Sequence, residues 1–177
     1  MKNIKADLLE GEWDCAFHCA NTYCVMGSGI AYFLSKKWVE VYDADTDYNY
    51  NVEHPNEKLG LFSRAVIPDG RWVYNLYGQL GIGNDGSVLG RNCQYDHLYN
   101  AMFLACQDMC KVMGDADNKI NIGVPKNMAC CRAGGSWIVV NAMLQDLEER
   151  FPIEFIVYEF GDEVVAKSTS PTDKFIN

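Results

Sequence analysis

Apolar and polar positions fall into short blocks whose period switches between two and 3.6 residues along the chain. The first blocks predict short strands from Ile4 to Leu9 and from Cys15 to Cys19. A glycine-bearing turn, Met26-Gly27-Ser28-Gly29, then leads into Ile30-Ala31-Tyr32-Phe33-Leu34, with apolar residues continuing at Trp38, Val39 and Val41. This reads as a helix with glycines at its start and Lys36 and Lys37 on its outer face. The polar run from Asp43 to Lys58 predicts a surface loop. Two strands, Leu59 to Ile67 and Arg71 to Gln79, follow, joined by Pro68-Asp69-Gly70, whose Pro and Gly supply the turn angles.

After a second glycine-rich loop, Gly81 to Gly86, a long helix is expected from Tyr95 to Met113, with Leu98, Met102, Ala105 and Met109 on one face. Ile120 to Val124 is a short buried strand. A loop with Gly134-Gly135 precedes a helix from Ser136 or Trp137 to Glu149, with the Ser136 hydroxyl as its expected N-cap. Ile153 to Phe160 closes the fold, and a polar tail runs from Gly161. Strands alternating with helices argue for an α/β layered domain whose sheet is mostly parallel, with one antiparallel pair at the Pro68 turn. No repeat or linker divides the chain, so residues 1–177 are expected to form one domain, with its core over 4–160 and a tail over 161–177.

Composition narrows the function. At 177 residues, 49% hydrophobic and 22% charged, the chain has enough apolar material for one core. Fifteen basic against 24 acidic residues give a formal charge of -9, opposite to what displaces counterions from a nucleic-acid duplex or docks on an anionic membrane. No apolar run approaches the ~20 residues that cross a bilayer, and Met1 to Glu10 lacks a leader's apolar stretch, so a cytoplasmic location is expected. The eight cysteines include an adjacent pair, Cys130 and Cys131, and a one-turn pair, Cys106 and Cys110, which suits reduced thiols better than a disulfide framework. There is no C-x-x-C, and His18, His54 and His97 are scattered, so neither a metal site nor a cofactor is expected. A monomer is the expected state.

Ligands of open α/β sheets bind beyond the carboxyl ends of the strands. Both glycine-bearing loops, Met26 to Ile30 and Ala129 to Ser136, lie between a strand and a helix at that edge. Such loops present backbone N–H groups without intrahelical partners and so suit a phosphate, even in an acidic protein. Neither loop fits G-x-x-x-x-G-K-[ST] or G-x-G-x-x-G.

The combination of His18-Cys-Ala-Asn21, Met26-Gly-Ser-Gly-Ile-Ala31, Asn75-Leu-Tyr-Gly-Gln79 and Ala133-Gly-Gly-Ser-Trp137 resembles the macro domain family. It is similar to the branch holding ADP-ribose-1''-phosphate phosphatases and ADP-ribosyl-glutamate hydrolases, over roughly Ile4 to Phe160. The resemblance implies a three-layer α/β/α sandwich around a mixed, mainly parallel sheet, with ADP-ribose or a derivative as ligand. It implies that Asp7, in Ala6-Asp7-Leu8-Leu9, accepts from the adenine amino group beside Leu8, and that Asn21 bonds the distal ribose. Gly27, Ser28, Gly29 and Ile30 would form the first diphosphate loop, and Ala133, Gly134, Gly135 and Ser136 the second. Tyr158 would flank the adenosine, Tyr77 would pack on a ribose or adenine face, and Gln79 would hydrogen-bond in the cleft.

Two departures bear on activity. The second loop, Pro125 to Trp137, is one residue longer than the family's P-R-I-G-C-G-L-A-G-G-D-W and places Ser136 where an Asp is usual. Arg132 there is either a phosphate donor or a solvated loop residue. The Lys and Asp of the glutamate-ADP-ribose hydrolases are missing, since Leu80 to Gly90 has no Lys and Ala133 stands at the Asp position. The resemblance therefore implies a metal-independent phosphatase acting on ADP-ribose-1''-phosphate, with a non-catalytic ADP-ribose reader and a hydrolase removing ADP-ribose from macromolecules as alternatives. His18 would act as general acid or orient water, unless it is a buried strand-end residue. Asp85 would activate water, unless it is a turn residue of Asn84-Asp85-Gly86.

Overall fold

A computed structural model describes residues 1–50, 54–82, 92–113 and 118–160. In chain order the elements are β1 (Lys2–Lys5), β2 (Cys15–Asn21), α1 (Gly29–Lys37), α2 (Val39–Tyr50), β3 (Phe62–Val66), β4 (Trp72–Gln79), α3 (Tyr95–Met113), β5 (Ile120–Pro125), α4 (Trp137–Arg150) and β6 (Ile153–Glu159), with 3-10 turns at Leu8–Glu10 and Pro55–Lys58. The strands form one sheet in the order β1-β6-β5-β2-β4-β3. All neighbours are parallel except β3 and β4, which pair antiparallel across the Pro68 turn.

Strand periodicity sorts side chains onto two faces. Cys15 and Phe17 of β2, Trp72, Tyr74 and Leu76 of β4, and Phe155 and Val157 of β6 face α3 and α4. The helices answer with buried stripes at helical spacing, Leu98, Ala101, Met102, Ala105 and Met109 on α3, and Val140, Leu144 and Leu147 on α4. Each of the larger side chains contributes about 1.5–3 kcal/mol through burial. Ala16, Val73 and Tyr158 face the other way, against Leu8, Leu34, Trp38 and Val41. The result is the expected α/β/α sandwich.

Three local expectations need correction. The first strand stops at Lys5, because Asp7 Oδ1 accepts from Leu9 N–H at 2.9 Å and caps the turn Leu8–Glu10. The run from Asp43 to Lys58 is not a loop: its first part belongs to α2 and its last to the turn Pro55–Lys58. Val41 and Asp45, one turn apart, are both buried, so α2 has an inward face that carries a carboxylate. Ser136 does precede α4, but its hydroxyl makes no capping bond; its backbone N–H donates to Tyr95 Oη at 2.7 Å. The tail over 161–177 lies outside the described residues.

Candidate functional site

A cavity of about 450 Å³ opens at the carboxyl ends of β6, β5, β2 and β4. Strand order sets its length: Phe160, just beyond β6, and Pro125 of β5 mark one end, while His18 and Asn21 of β2 and Gln79 of β4 mark the other. The first turn of α1 and the segment from Lys126 to Ala133 form the walls between.

The α1 wall presents the start of a helix to the cavity. Ser28 sits at the helix N-cap in extended conformation with no side-chain capping bond. The first N–H groups of an α-helix have no intrahelical acceptor, and here that turn lines the cavity. Gly29 adopts φ +61°, a conformation side-chain-bearing residues rarely take, and open space lies where its Cβ would stand. Ile30 and Phe33, one turn apart, add apolar surface.

The opposite wall follows a path the sequence did not reveal. Asn127 and Ala129 both take positive φ, near +62°, and turn bonds run from Met128 N–H to Pro125 O and from Cys130 N–H to Asn127 O. Gly134 N–H donates to Cys130 O, and Gly135 N–H donates to Ala129 O. A Cβ on Gly135 would stand 2.6 Å from that oxygen, so glycine is required by packing. Gly134, Gly135 and Ser136 thus have their N–H groups occupied and stand off the cavity wall, which is made instead by Lys126 to Ala133.

At the inner end a chain of buried polar groups runs from β2 to the turn before α1. Asn75 Nδ2 donates to Val41 O at 3.0 Å and to Ser63 Oγ at 2.9 Å, which turns its Oδ1 towards His18 Nε2. Nε2 must therefore carry the proton, and Nδ1 holds a lone pair that is buried without a partner among the described residues. Tyr77, fully buried, donates its hydroxyl to Asp45 Oδ1 at 2.6 Å and lies 2.9 Å from Ser63 Oγ. Asp45 is 1% exposed and Lys58 0%, with Lys58 Nζ 3.6 Å from Asp45 Oδ1, 3.0 Å from Cys24 Sγ and over the Tyr77 ring.

The expected site residues divide accordingly. His18, Asn21, Ser28, Gly29, Ile30, Gln79 and Ala133 line the cavity. Gly27 precedes them in the same turn, exposed and off the wall. Asn21 is largely occupied in shaping its own turn: Oδ1 accepts from Tyr23 and Val25 N–H, and Nδ2 donates to Val25 O. Asp7 lies just past the β1–β6 pairing, at the Phe160 end but off the wall, and Leu8 is buried beneath it with its carbonyl accepting from Trp13 Nε1. Tyr77 lies under the cleft and not on its surface. Tyr158 packs beside Leu8 and Trp13, off the cavity wall, where its hydroxyl donates to Glu12 O at 3.2 Å. Asp85 falls outside the described residues. Asp45, Phe33, Phe160 and Lys126 to Arg132 line the cavity without having been expected as ligand contacts, apart from Arg132. Among the described residues no group of three or more His, Cys, Asp or Glu could hold a metal ion, and no helix is long and apolar enough to cross a membrane.

The buried His18 has its pKa pushed below the ordinary 6.5, first by desolvation, which disfavours the imidazolium. Below pH 6.5 the unfolded chain gains this proton and the folded chain does not, so stability falls as pH drops towards the folded value. His18→Gln is expected to flatten the decline in urea midpoint as pH falls below 6.5. An unchanged slope would place the titrating group elsewhere.

Comparison with known proteins adds the fold. No family model matches the sequence, and no curated protein does. Solved structures match over most of its length: a protein of unknown function from Bacteroides thetaiotaomicron is 22% identical, with a TM-score of 0.72 over 90% of this chain and 97% of the other. A macrodomain protein from Streptomyces coelicolor is 18% identical, with a TM-score of 0.67 over 90% and 99%. DarTG of Thermosipho africanus, solved in complex with ADP-ribose, is 16% identical, with a TM-score of 0.66 over 99% of this chain and 42% of the other.

Proposed function

We propose that this chain, which has the macrodomain fold, binds ADP-ribose or a close derivative along the cavity. The observation that carries the reading is the uncapped first turn of α1, a donor-rich anion site set between an apolar end and an acceptor-rich end. A nucleoside diphosphate joined to a second sugar has the same order of chemistries. Its base would lie towards Phe33 and Phe160, its diphosphate against Ser28 to Ala31, and its terminal ribose towards Asn21, His18 and Gln79. Lys126 and Arg132 supply positive charge on the facing wall. The ADP-ribose complex of the Thermosipho africanus protein supports the same ligand class.

As an activity we propose hydrolysis of the phosphate monoester at the terminal ribose, for which the bare Nδ1 of His18 is the favouring observation. With the neutral ring held by Asn75 through Nε2, Nδ1 would serve as a proton acceptor and not as a donor. Titration calorimetry with ADP-ribose and GDP-ribose, paired with phosphate release from ADP-ribose-1''-phosphate, tests both parts. Binding of ADP-ribose in preference to GDP-ribose, with phosphate released and lost in His18→Ala, is expected. Absence of heat with either nucleotide overturns the site, and binding without phosphate release leaves a reader of ADP-ribose and overturns the activity.

A further inference from the structure

The thiol of Cys24 and the ammonium of Lys58 are in direct contact yet have no part in the ligand chemistry above. Lys58 Nζ lies 3.0 Å from Cys24 Sγ, and the lysine is fully buried, so its amine is confined to this spot. The face of Tyr77, 4.4 Å from Nζ, and Asp45 Oδ1, 3.6 Å away, hold it there. Sγ in turn lies 3.3 Å from Asp45 O and 3.5 Å from Asp45 Oδ1. Cys24 is half-buried, between the exposed Tyr23 and Val25, and takes φ +56° in the turn shaped by Asn21. A thiol within reach of small solutes, an amine in contact with it and a carboxylate able to receive a proton are the components of a sulfur–nitrogen linkage.

We propose that Cys24 and Lys58 form an oxidative modification site, closed by hydrogen peroxide into a covalent Sγ–Nζ bond. In the first step peroxide transfers one oxygen to sulfur, giving the sulfenic acid and one water. Lys58 passes one proton to Asp45, and the neutral amine attacks sulfur. The S–N bond forms as the S–O bond breaks, and the departing hydroxide takes a second proton from nitrogen as water. Sulfur is oxidised by two electrons, one peroxide becomes two waters, and the protein loses two hydrogens. Burial raises the Cys24 thiol above its ordinary pKa while the hydrogen bond from Lys58 lowers it, so the first step is slow; the second is intramolecular between atoms already in contact. The product removes both charges of the buried pair and ties the turn before α1 to the turn Pro55–Lys58.

The test is peptide mapping of the whole folded chain after graded peroxide treatment, digested without reductant. Exposed Cys131 reports that oxidant is active. A Cys24 peptide joined to the Lys58 peptide, about 2 Da lighter than their sum and separated by dithiothreitol, is the expected result. The linkage should be absent from Cys24→Ser and from wild-type protein unfolded in urea before oxidation, where contact is lost. Recovery of Cys24 only as an oxygen adduct, as a disulfide or as a dimedone adduct overturns the proposal. So does an untouched Cys24 when Cys131 is fully oxidised.

Discussion

Replacing Lys58 with alanine is expected to destabilise the fold by about 3–5 kcal/mol, the usual effect of removing one member of a buried ion pair. The pair is closed to water, with Lys58 and Asp45 exposed by 0% and 1%. The variant leaves a carboxylate facing only a tyrosine hydroxyl and a half-buried thiol, and it empties the space over the Tyr77 ring. Denaturation in urea measures the loss as a lower midpoint at unchanged slope. Lys2, 62% exposed in its pair with Glu154, is the matching control, and Lys2→Ala should barely move the midpoint. A Lys58→Ala midpoint equal to that of Lys2→Ala would show that the buried charges contribute no more than solvated ones.

Ser28→Asp is expected to weaken ADP-ribose binding roughly 100-fold while making the fold slightly more stable, an opposition only a ligand at α1 produces. The serine caps α1 in position but not in chemistry, since its hydroxyl makes no bond to the helix. A carboxylate there can accept from the open N–H groups and complement the helix dipole, worth about 0.5–1 kcal/mol. It then occupies the place offered to the diphosphate and repels it, and like charges so opposed cost about 2–3 kcal/mol. Calorimetric titration and thermal unfolding of the same preparation read both effects. Ser28→Ala should bind within a few-fold of the parent. Unaltered binding by Ser28→Asp would move the diphosphate away from α1.

Where periodicity and burial agree, the elements were legible from residues alone. The α3 stripe of Leu98, Met102, Ala105 and Met109 predicted that helix to its ends, and Pro68-Asp69-Gly70 predicted the antiparallel pair. The α2 helix escaped because one of its inward positions is Asp45, and a carboxylate interrupts an apolar stripe even when Tyr77 and Lys58 make it a good core residue. The second wall was hidden for another reason: Asn127 and Ala129 adopt left-handed backbone that glycine would have announced, so the loop's path depends on neighbours and not on composition. Tyr158 was expected beside the adenosine on the resemblance alone, and strand alternation turns it to the layer of Leu8 and Trp13, off the cavity wall. Phe160 lies past the end of β6, where alternation no longer governs, and it lines the cavity.

The parallel pairing of β1 with β6 also decides how the molecule can be handled. Met1 precedes β1, whose first residue Lys2 pairs with Ile156 midway along β6, and its ammonium lies on Glu148, whereas the chain leaves β6 at the cavity wall. A tether at the first residue therefore holds the protein at the end of β1 away from the cavity and leaves the mouth free. A fluorophore attached near Phe160, by contrast, sits beside whatever enters, a natural position for an optical reporter of occupancy.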